Sequence, residues 1–335
     1  MRFLLTLLFF WCTCVCATYK TPVSISELLG GDCAGEVRGQ GSWIARLKGG
    51  SVFGDGVIAT ADQKLVDFGS VLGWRWDLSW TKYVGQGPLP TIKIPGKIAV
   101  LASQGEGEYY HWLLQVLGRF VILQNASEQY DRVFINVPQA RFQSETLGAL
   151  GMDAKKVLYG LPEYAYQADE LIVPAVPNRD GQIDSTVIDY LRNTFLKPEK
   201  VLGKRKIYIS REDARRRRIL NESELWDRLK QKGFERVLLA DMTVEAQARL
   251  FASADTIVAP HGSGLANLVF ADAGTHVIEI HGGHEINPLY GRLSEERKLY
   301  YQAVHAGVEG LSEAELADES IRLCPRTLNQ ILTRI

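Results

Sequence analysis

Residues 256–270, TIVAPHGSGLANLVF, constrain this chain more than any other stretch. A short apolar run ends at Ala259, a turn holding Gly262 and Gly264 follows, and a second apolar run starts at Leu265. Buried parallel strands read as continuous hydrophobic runs and need a long crossover before pairing again. The punctuation therefore predicts strand, tight turn and helix. The alternation recurs on both sides, with strands predicted over 206–210, 236–240, 256–259 and 276–280, and helices over 221–232, 244–254 and 265–270. Gly233 supplies a stop for the first of these helices. The second half thus reads as a doubly wound sheet.

The first half is built from shorter pieces. Between Trp43 and Phe68 the runs WIARL, SVFGDGVIAT and KLVDF are β-type and broken by glycines. Trp74, Trp76 and Trp80 read as packing residues. A buried strand is expected over 97–101, followed by a helix over 111–123 that places Leu113, Leu114, Leu117, Phe120 and Val121 on one face. A strand over 132–137, a helix over 143–151 and a strand over 170–174 imply parallel βαβ units here as well. Residues 174–184, PAVPNRDGQID, are turn-rich and begin a linker, and a helix over 185–196 ends before Pro198. At 335 residues the chain is long enough for two domains. The last 25 residues read as an amphipathic segment packing across both halves.

Charge and cysteine usage narrow the class. Basic and acidic residues balance at 38 against 39, so the basic excess of a nucleic-acid binder is missing. Three of the five cysteines, Cys12, Cys14 and Cys16, crowd the first sixteen residues, and no repeated pair resembles a structural zinc site. Residues 1–17, MRFLLTLLFFWCTCVCA, hold one charge and an apolar run of about 15 residues, short of the roughly 20 that span a bilayer. Val15-Cys16-Ala17 suits signal cleavage after Ala17; an uncleaved anchor is the alternative. A cytosolic apolar N-terminus is the third reading; the first two direct the chain to the secretory pathway, where the membrane is a partner only through these residues if uncleaved. Removal of the segment leaves Cys33 and Cys324, a pair or two separate thiols in an oxidising lumen. Asn125 heads a glycosylation sequon, as does Asn221, which falls within a candidate site.

Three features carry chemistry. The turn His261-Gly262-Ser263-Gly264, with Asn267 beyond it, leaves a strand at the carboxyl edge of the sheet and opens a helix. Glycines let a ligand approach the backbone, and the first helical amides suit a phosphate or diphosphate. A tight crossover without ligand is the alternative. Ser210-Arg211 ends another strand and precedes the run Arg215–Arg218, whose guanidiniums suit bidentate phosphate contacts. Arg211 is the best placed of them. Glu279, inside the apolar run HVIEI, needs a partner, either ribose hydroxyls or an arginine. In the first half, Glu108 and His111 open a helix just after a strand, and a histidine there suits a general base. His281 and His284 form a weak metal pair, and no Asp-x-Asp motif offers to hold a cation on a nucleotide diphosphate.

These motifs, in this order, resemble glycosyltransferase family 61, which groups plant xylan arabinosyl- and xylosyltransferases with animal O-linked N-acetylglucosaminyltransferases. The resemblance rests on EYYHWLLQVLGRF, YISREDARRRRILNESEL, GFERVLLADMTVEAQARLFASADTIVAPHGSGLANLVF and HVIEI, and covers roughly residues 100–305. It implies an α/β fold of the GT-B type, two Rossmann-like domains facing a cleft, with an acceptor side over 18–185, a donor side over 186–310 and a helical segment over 311–335. It implies an inverting transfer from a nucleotide-sugar, a UDP-sugar first, to a hydroxyl of a glycan or glycoprotein. Ser210, Arg211, Arg217, Asn221, His261, Gly262, Ser263, Gly264 and Asn267 would bind the donor, with Glu279 on the ribose. His111 would be the acceptor base, with Glu108 second. No metal and no cofactor are expected, the nucleotide-sugar being a co-substrate. Gln115 stands where many relatives carry an acid, and Ala266 replaces a common threonine. A GT-B scaffold that binds glycan or nucleotide without transfer, and a metal-dependent hydrolase built on the histidines, are the rival readings.

Overall fold

Two sheets carry the fold, and the length of their connections explains why they differ. The computed structural model describes residues 20–24, 36–37, 43–67, 83–103, 105, 107–137, 140–179, 182–196, 204–283 and 286–335. The N-terminal segment 1–17, Cys33, Trp74, Trp76, Trp80 and His284 lie outside them. The first half opens with β1 (Lys20–Ser24), β2 (Glu36–Val37), β3 (Trp43–Lys48), β4 (Ser51–Phe53), β5 (Ile58–Ala59) and β6 (Lys64–Asp67). Then come β7 (Thr91–Val100), α1 over 109–125, β8 (Arg132–Asn136), α2 (Arg141–Ala149), β9 (Val157–Gly160) and β10 (Ala165–Pro174).

Strands β7, β8 and β9 run parallel, and β10 lies parallel to β7 but antiparallel to β3 and β4. The links among β4, β5 and β6 are only a few residues long and permit hairpins alone. The helices between β7, β8 and β9 make the parallel βαβ units expected here, and the antiparallel pairs beside them give a mixed sheet of ten strands among the described residues. Helix α1 is regular at Tyr109–His111 and Leu117–Asn125 and widens into a π turn at Trp112–Val116. It is buried on more than one face: Trp112, Leu113, Leu114 and Leu117 are fully covered, and buried Arg119 donates to the Ala102 carbonyl.

The second half follows its reading closely. After the small hairpin β11 (Asn178–Arg179) and β12 (Gln182–Ile183) comes α3 (Ser185–Phe195), whose first turn is capped by Asp184 accepting from the Thr186 amide. The alternation continues through β13 (Arg205–Ile209), α4 (Glu222–Gln231), β14 (Glu235–Val237), α5 (Val244–Ala252) and β15 (Ala254–Pro260). A 3-10 helix at Ser263–Phe270, where an α-helix was expected, leads to β16 (His276–His281), α6 (Leu289–Glu296) and β17 (Tyr300–His305). All five strands are parallel, in the order β14-β13-β15-β16-β17. That order reverses direction between β13 and β15, and crevices form at the carboxyl ends of strands that flank such a switch.

The chain ends with α7 (Glu313–Ala317) and α8 (Pro325–Leu332). Ile321, Leu323 and Ile331 from this segment join Tyr208, Ile219, Leu225, Ile278 and Ile280 in one cluster, on one face of the second sheet. The segment therefore packs on the second half, a correction to the expectation that it spans both. The opposite face carries Val277, and there α1, α3, α5 and the 263–270 helix share one apolar core with the first sheet. Arg192 of α3 donates to the Phe270 carbonyl at 2.5 Å and to Asp272 at 2.7 Å, tying off the end of that helix. Among the described residues no helix is long and apolar enough to cross a membrane.

Candidate active site

Arg211 follows β13 and His261 follows β15, so the two residues flank the switch point from either side. The Arg211 side chain crosses directly over Gly262: a Cβ there would collide with its guanidinium. Gly262 is extended, with φ of 174°, so it is the close approach and not backbone strain that demands glycine. Arg211 Nη2 donates to the Arg216 carbonyl at 3.0 Å. Burial, and after it the neighbouring charge of Arg217, pull the Arg211 guanidinium below its usual range, yet it stays a cation at any physiological pH.

Arg217 has φ of +59°, a left-handed conformation that costs a non-glycine residue roughly 1–2 kcal/mol. Its amide is held by the Asp318 carbonyl at 2.9 Å, and its Nε sits 2.5 Å from Glu319. Glu319 also pairs with Arg216. Burial would raise the Glu319 carboxyl, but Arg217 foremost, with Arg216 and His261, holds it below the ordinary range. An anionic group thus already sits on the arginine run, supplied by the chain itself.

His261 is set by register. Its amide donates to the Ile280 carbonyl at 2.9 Å, extending the pairing of β15 with β16 and laying the residue beside Glu279. Glu279 and His281, two apart on one strand, point to the same face. Glu279 is completely buried. One of its oxygens bonds His261 Nδ1, and the other accepts from Tyr301 Oη at 2.6 Å and lies 3.4 Å from His281 Nε2. Burial alone would raise this carboxyl, but His261 and His281 outweigh it and hold it below the usual range. Burial first, then Glu279, pushes the Tyr301 phenol up. Both oxygens are taken, so the expected ribose contact at Glu279 is corrected: the carboxylate is turned into the protein.

His281 stacks on His261 at 5.0 Å. It lies buried at the end of β16; His284, read with it as a weak metal pair, is outside the described residues. Ligand atoms of His261, Glu279 and His281 lie within 4.8 Å of one another, close enough to surround a cation.

The first half brings its own histidine. Gly105 has φ of +73°, and a Cβ on it would press on the His111 ring. His111 Nδ1 lies 2.9 Å from Gln115 Oε1, which also accepts from Ser103 Oγ at 3.0 Å. Glu108, exposed at the start of α1, lies within electrostatic reach of Arg211. Four aromatic contacts connect the histidines: His111 to Tyr110 at 5.4 Å, Tyr110 to Tyr290 at 5.9 Å, Tyr290 to His261 at 5.3 Å, then His281.

The structure therefore gathers Arg211, Arg217, His261 and Gly262, with Ser263 and Gly264 in the turn and Glu108 and His111 on the facing helix. Four candidates remain: Glu279, turned inward as above, and three whose polar groups are engaged within the protein. Ser210 is 3% exposed and accepts from Arg236. Asn221 exchanges hydrogen bonds with both backbone groups of Leu323, fastening the C-terminal segment. Fully buried Asn267 accepts from Tyr109 Oη at 2.8 Å and donates to Gln247 at 2.7 Å. Sequence reasoning missed Tyr290, Tyr301 and Glu319. The spacing of two between Glu279 and His281 was a readable signal that both share a face.

Comparison with known proteins agrees with this arrangement. The family model Glycosyltransferase 61 matches residues 109–278, which run from α1 into β16 and include Arg211, Arg217, His111 and His261. The β-1,2-xylosyltransferase RCN11 of Oryza sativa subsp. japonica is 29% identical over 142 residues, 37% of this chain and 27% of the rice protein. The chain thus matches about a quarter of that relative's length. With the family model covering half of its residues, the chain belongs to glycosyltransferase family 61.

Proposed function

We propose that the protein is an inverting, metal-independent transferase that moves a sugar from a nucleotide diphosphate, a UDP-sugar first, to a hydroxyl of a glycan or glycoprotein. The observation that carries this reading is the convergence of Arg211, Arg217 and the His261-Gly262 turn at one switch point. Guanidiniums and an open backbone there meet the charge that builds on a leaving diphosphate. The lack of an Asp-x-Asp motif in the sequence is in keeping with arginines taking that part. The two sheets would be the two halves of a GT-B arrangement, acceptor side over 18–185 and donor side over 186–310.

In the transfer, the acceptor oxygen attacks the anomeric carbon as its proton passes to His111 Nε2. The bond from that carbon to the phosphate oxygen breaks, and its electron pair leaves with the nucleoside diphosphate. His111 suits the base role because Gln115 Oε1 takes the Nδ1 hydrogen and leaves Nε2 to accept. Glu108 is the second choice. The rice relative is a xylosyltransferase, so a xylosyl nucleotide is the first donor to try. The N-terminal segment supports a place in the secretory pathway.

Thermal shift in the presence of a chelator tests the donor site. UDP or GDP is expected to raise Tm, and Arg211→Ala to weaken that nucleotide at least tenfold. Failure of UDP, GDP and their sugars to stabilise the protein would sink the reading. Product analysis with the best donor and a panel of glycan acceptors then separates a transferase from a binding scaffold that has lost turnover.

A further inference from the structure

We propose that Glu279 and Tyr301 are positioning residues that hold His261 with Nδ1 turned inward, so that Nε2 is the third phosphate-contacting group beside Arg211 and Arg217. This rests on the reading of the arginines as a diphosphate site.

A carboxylate with no exposed surface in the middle of a sheet is costly unless each oxygen has a donor. Here one oxygen has His261 Nδ1 and the other has Tyr301 Oη. Tyr301 reaches it because its register partner is Val277, two residues before Glu279 on the same face, within a long side chain's diagonal reach. A carboxylate bonded to Nδ1 fixes which ring nitrogen is left for other work. The ring stacks on His281 and meets Tyr290 at a tilt, and the bond to Glu279 sets which edge faces inward. His261 keeps 15% of its side-chain surface exposed, whereas Glu279 keeps none. The open part belongs to the residue preceding Gly262, over which Arg211 lies.

The charge bookkeeping is consistent. A diphosphate oxygen beside Nε2 is met there as a hydrogen-bond acceptor. The Glu279 carboxylate behind the ring supplies the counter-charge. The groups facing His261 are Glu279 and His281 on β16, Tyr290 on α6, Tyr301 on β17, Glu319 on the C-terminal segment, and Arg211 and Arg217 on the loop after β13. Glu319, which holds Arg217, is the group a phosphate would displace. Its departure removes a negative charge near the ring as the ligand's arrives.

Two measurements on the full chain test this. In ¹⁵N-labelled wild-type protein without ligand, the His261 ring is expected to carry its hydrogen on Nδ1. A hydrogen on Nε2 with a bare Nδ1 overturns the proposal. Calorimetry with UDP, GDP, uridine and guanosine reads the phosphate contact. Glu279→Gln is expected to weaken the diphosphate about tenfold, while uridine or guanosine binding changes less than twofold. Tyr301→Phe, a milder change that retains the ring's packing, should weaken the diphosphate about threefold in the same selective way. Equal losses for nucleoside and diphosphate would make Glu279 a ribose or folding residue and overturn the assignment. Absence of any nucleotide binding to wild type instead overturns the donor-site reading, and the ring measurement still decides the position of Nδ1.

Discussion

Two histidines stand at the carboxyl edges of the two sheets, each with Nδ1 committed to a neighbour, and the neighbours differ. His111 meets the neutral amide of Gln115, which sits half-buried one helical turn away and shares its oxygen with Ser103. His261 meets Glu279, a carboxylate with no exposed surface, braced by Tyr301. The neutral partner orients the ring without a counter-charge, so the ring is left to accept a proton and release it again. A carboxylate partner stabilises positive charge on the ring. One fold thus provides an acceptor-like and a donor-like imidazole. The difference lies in the residue behind each ring.

If that division is right, removing His111 should strike turnover and spare the nucleotide. His111→Ala is expected to lower kcat by about 10²- to 10⁴-fold, the usual worth of a positioned general base. UDP affinity should stay within twofold of wild type by calorimetry. A loss of nucleotide affinity matching the loss of rate would put His111 on the donor side and dissolve the contrast.

Truncating the two partners should separate them by stability. Glu279→Ala leaves two imidazoles and a phenol without the carboxylate they share, and breaking such a buried set costs about 3–5 kcal/mol. Gln115→Ala removes the amide oxygen shared by His111 and Ser103, two ordinary hydrogen bonds, and costs about 1–2 kcal/mol. Denaturant unfolding at pH 7 would read both. The pH dependence carries a sign as well. Glu279 and Glu319 are held below the ordinary carboxylate range when folded. Their contribution is present above about pH 4.5 and is lost as pH falls through the lower folded values. Glu279→Gln should flatten that acid limb; an unchanged limb would mean the carboxylate adds nothing.

The sequence made one of these histidine environments more readable than the other. The parallel strands of the second half are apolar runs between capped helices, so strand, turn and helix were placed to within a few residues. The strands β3 to β6 show only short alternating patterns, and those patterns do not say which neighbour a strand takes. Hairpin links decided it. Within the site, Arg211 and the Gly262 turn were legible because each ends a strand. Glu279 was legible as an oddity, an acid in an apolar strand, but its partners come from three strands. Register, not spacing along the chain, brings Tyr301 and His261 to it. Asn221 and Asn267 fall within motif segments, and the sequence does not show that their amides bond Leu323 and Tyr109.

The contrast can also be erased by giving His111 the partner that His261 has. Gln115→Glu places a carboxylate where Oε1 now receives Nδ1, with Ser103 Oγ still able to donate to it. A negative neighbour favours the protonated ring. The base must be unprotonated to act, so the acid limb of the rate profile should move toward higher pH. Above that limb the rate should equal or modestly exceed wild type, because a more basic acceptor takes the hydroxyl proton more readily. The residue is half-buried, which limits the shift through solvent screening and makes this the smallest expected effect. The matching change on the other side, Glu279→Gln, should leave the position of the acid limb where it is while weakening the diphosphate. A profile that follows Glu279 and ignores position 115 would exchange the roles of the two histidines.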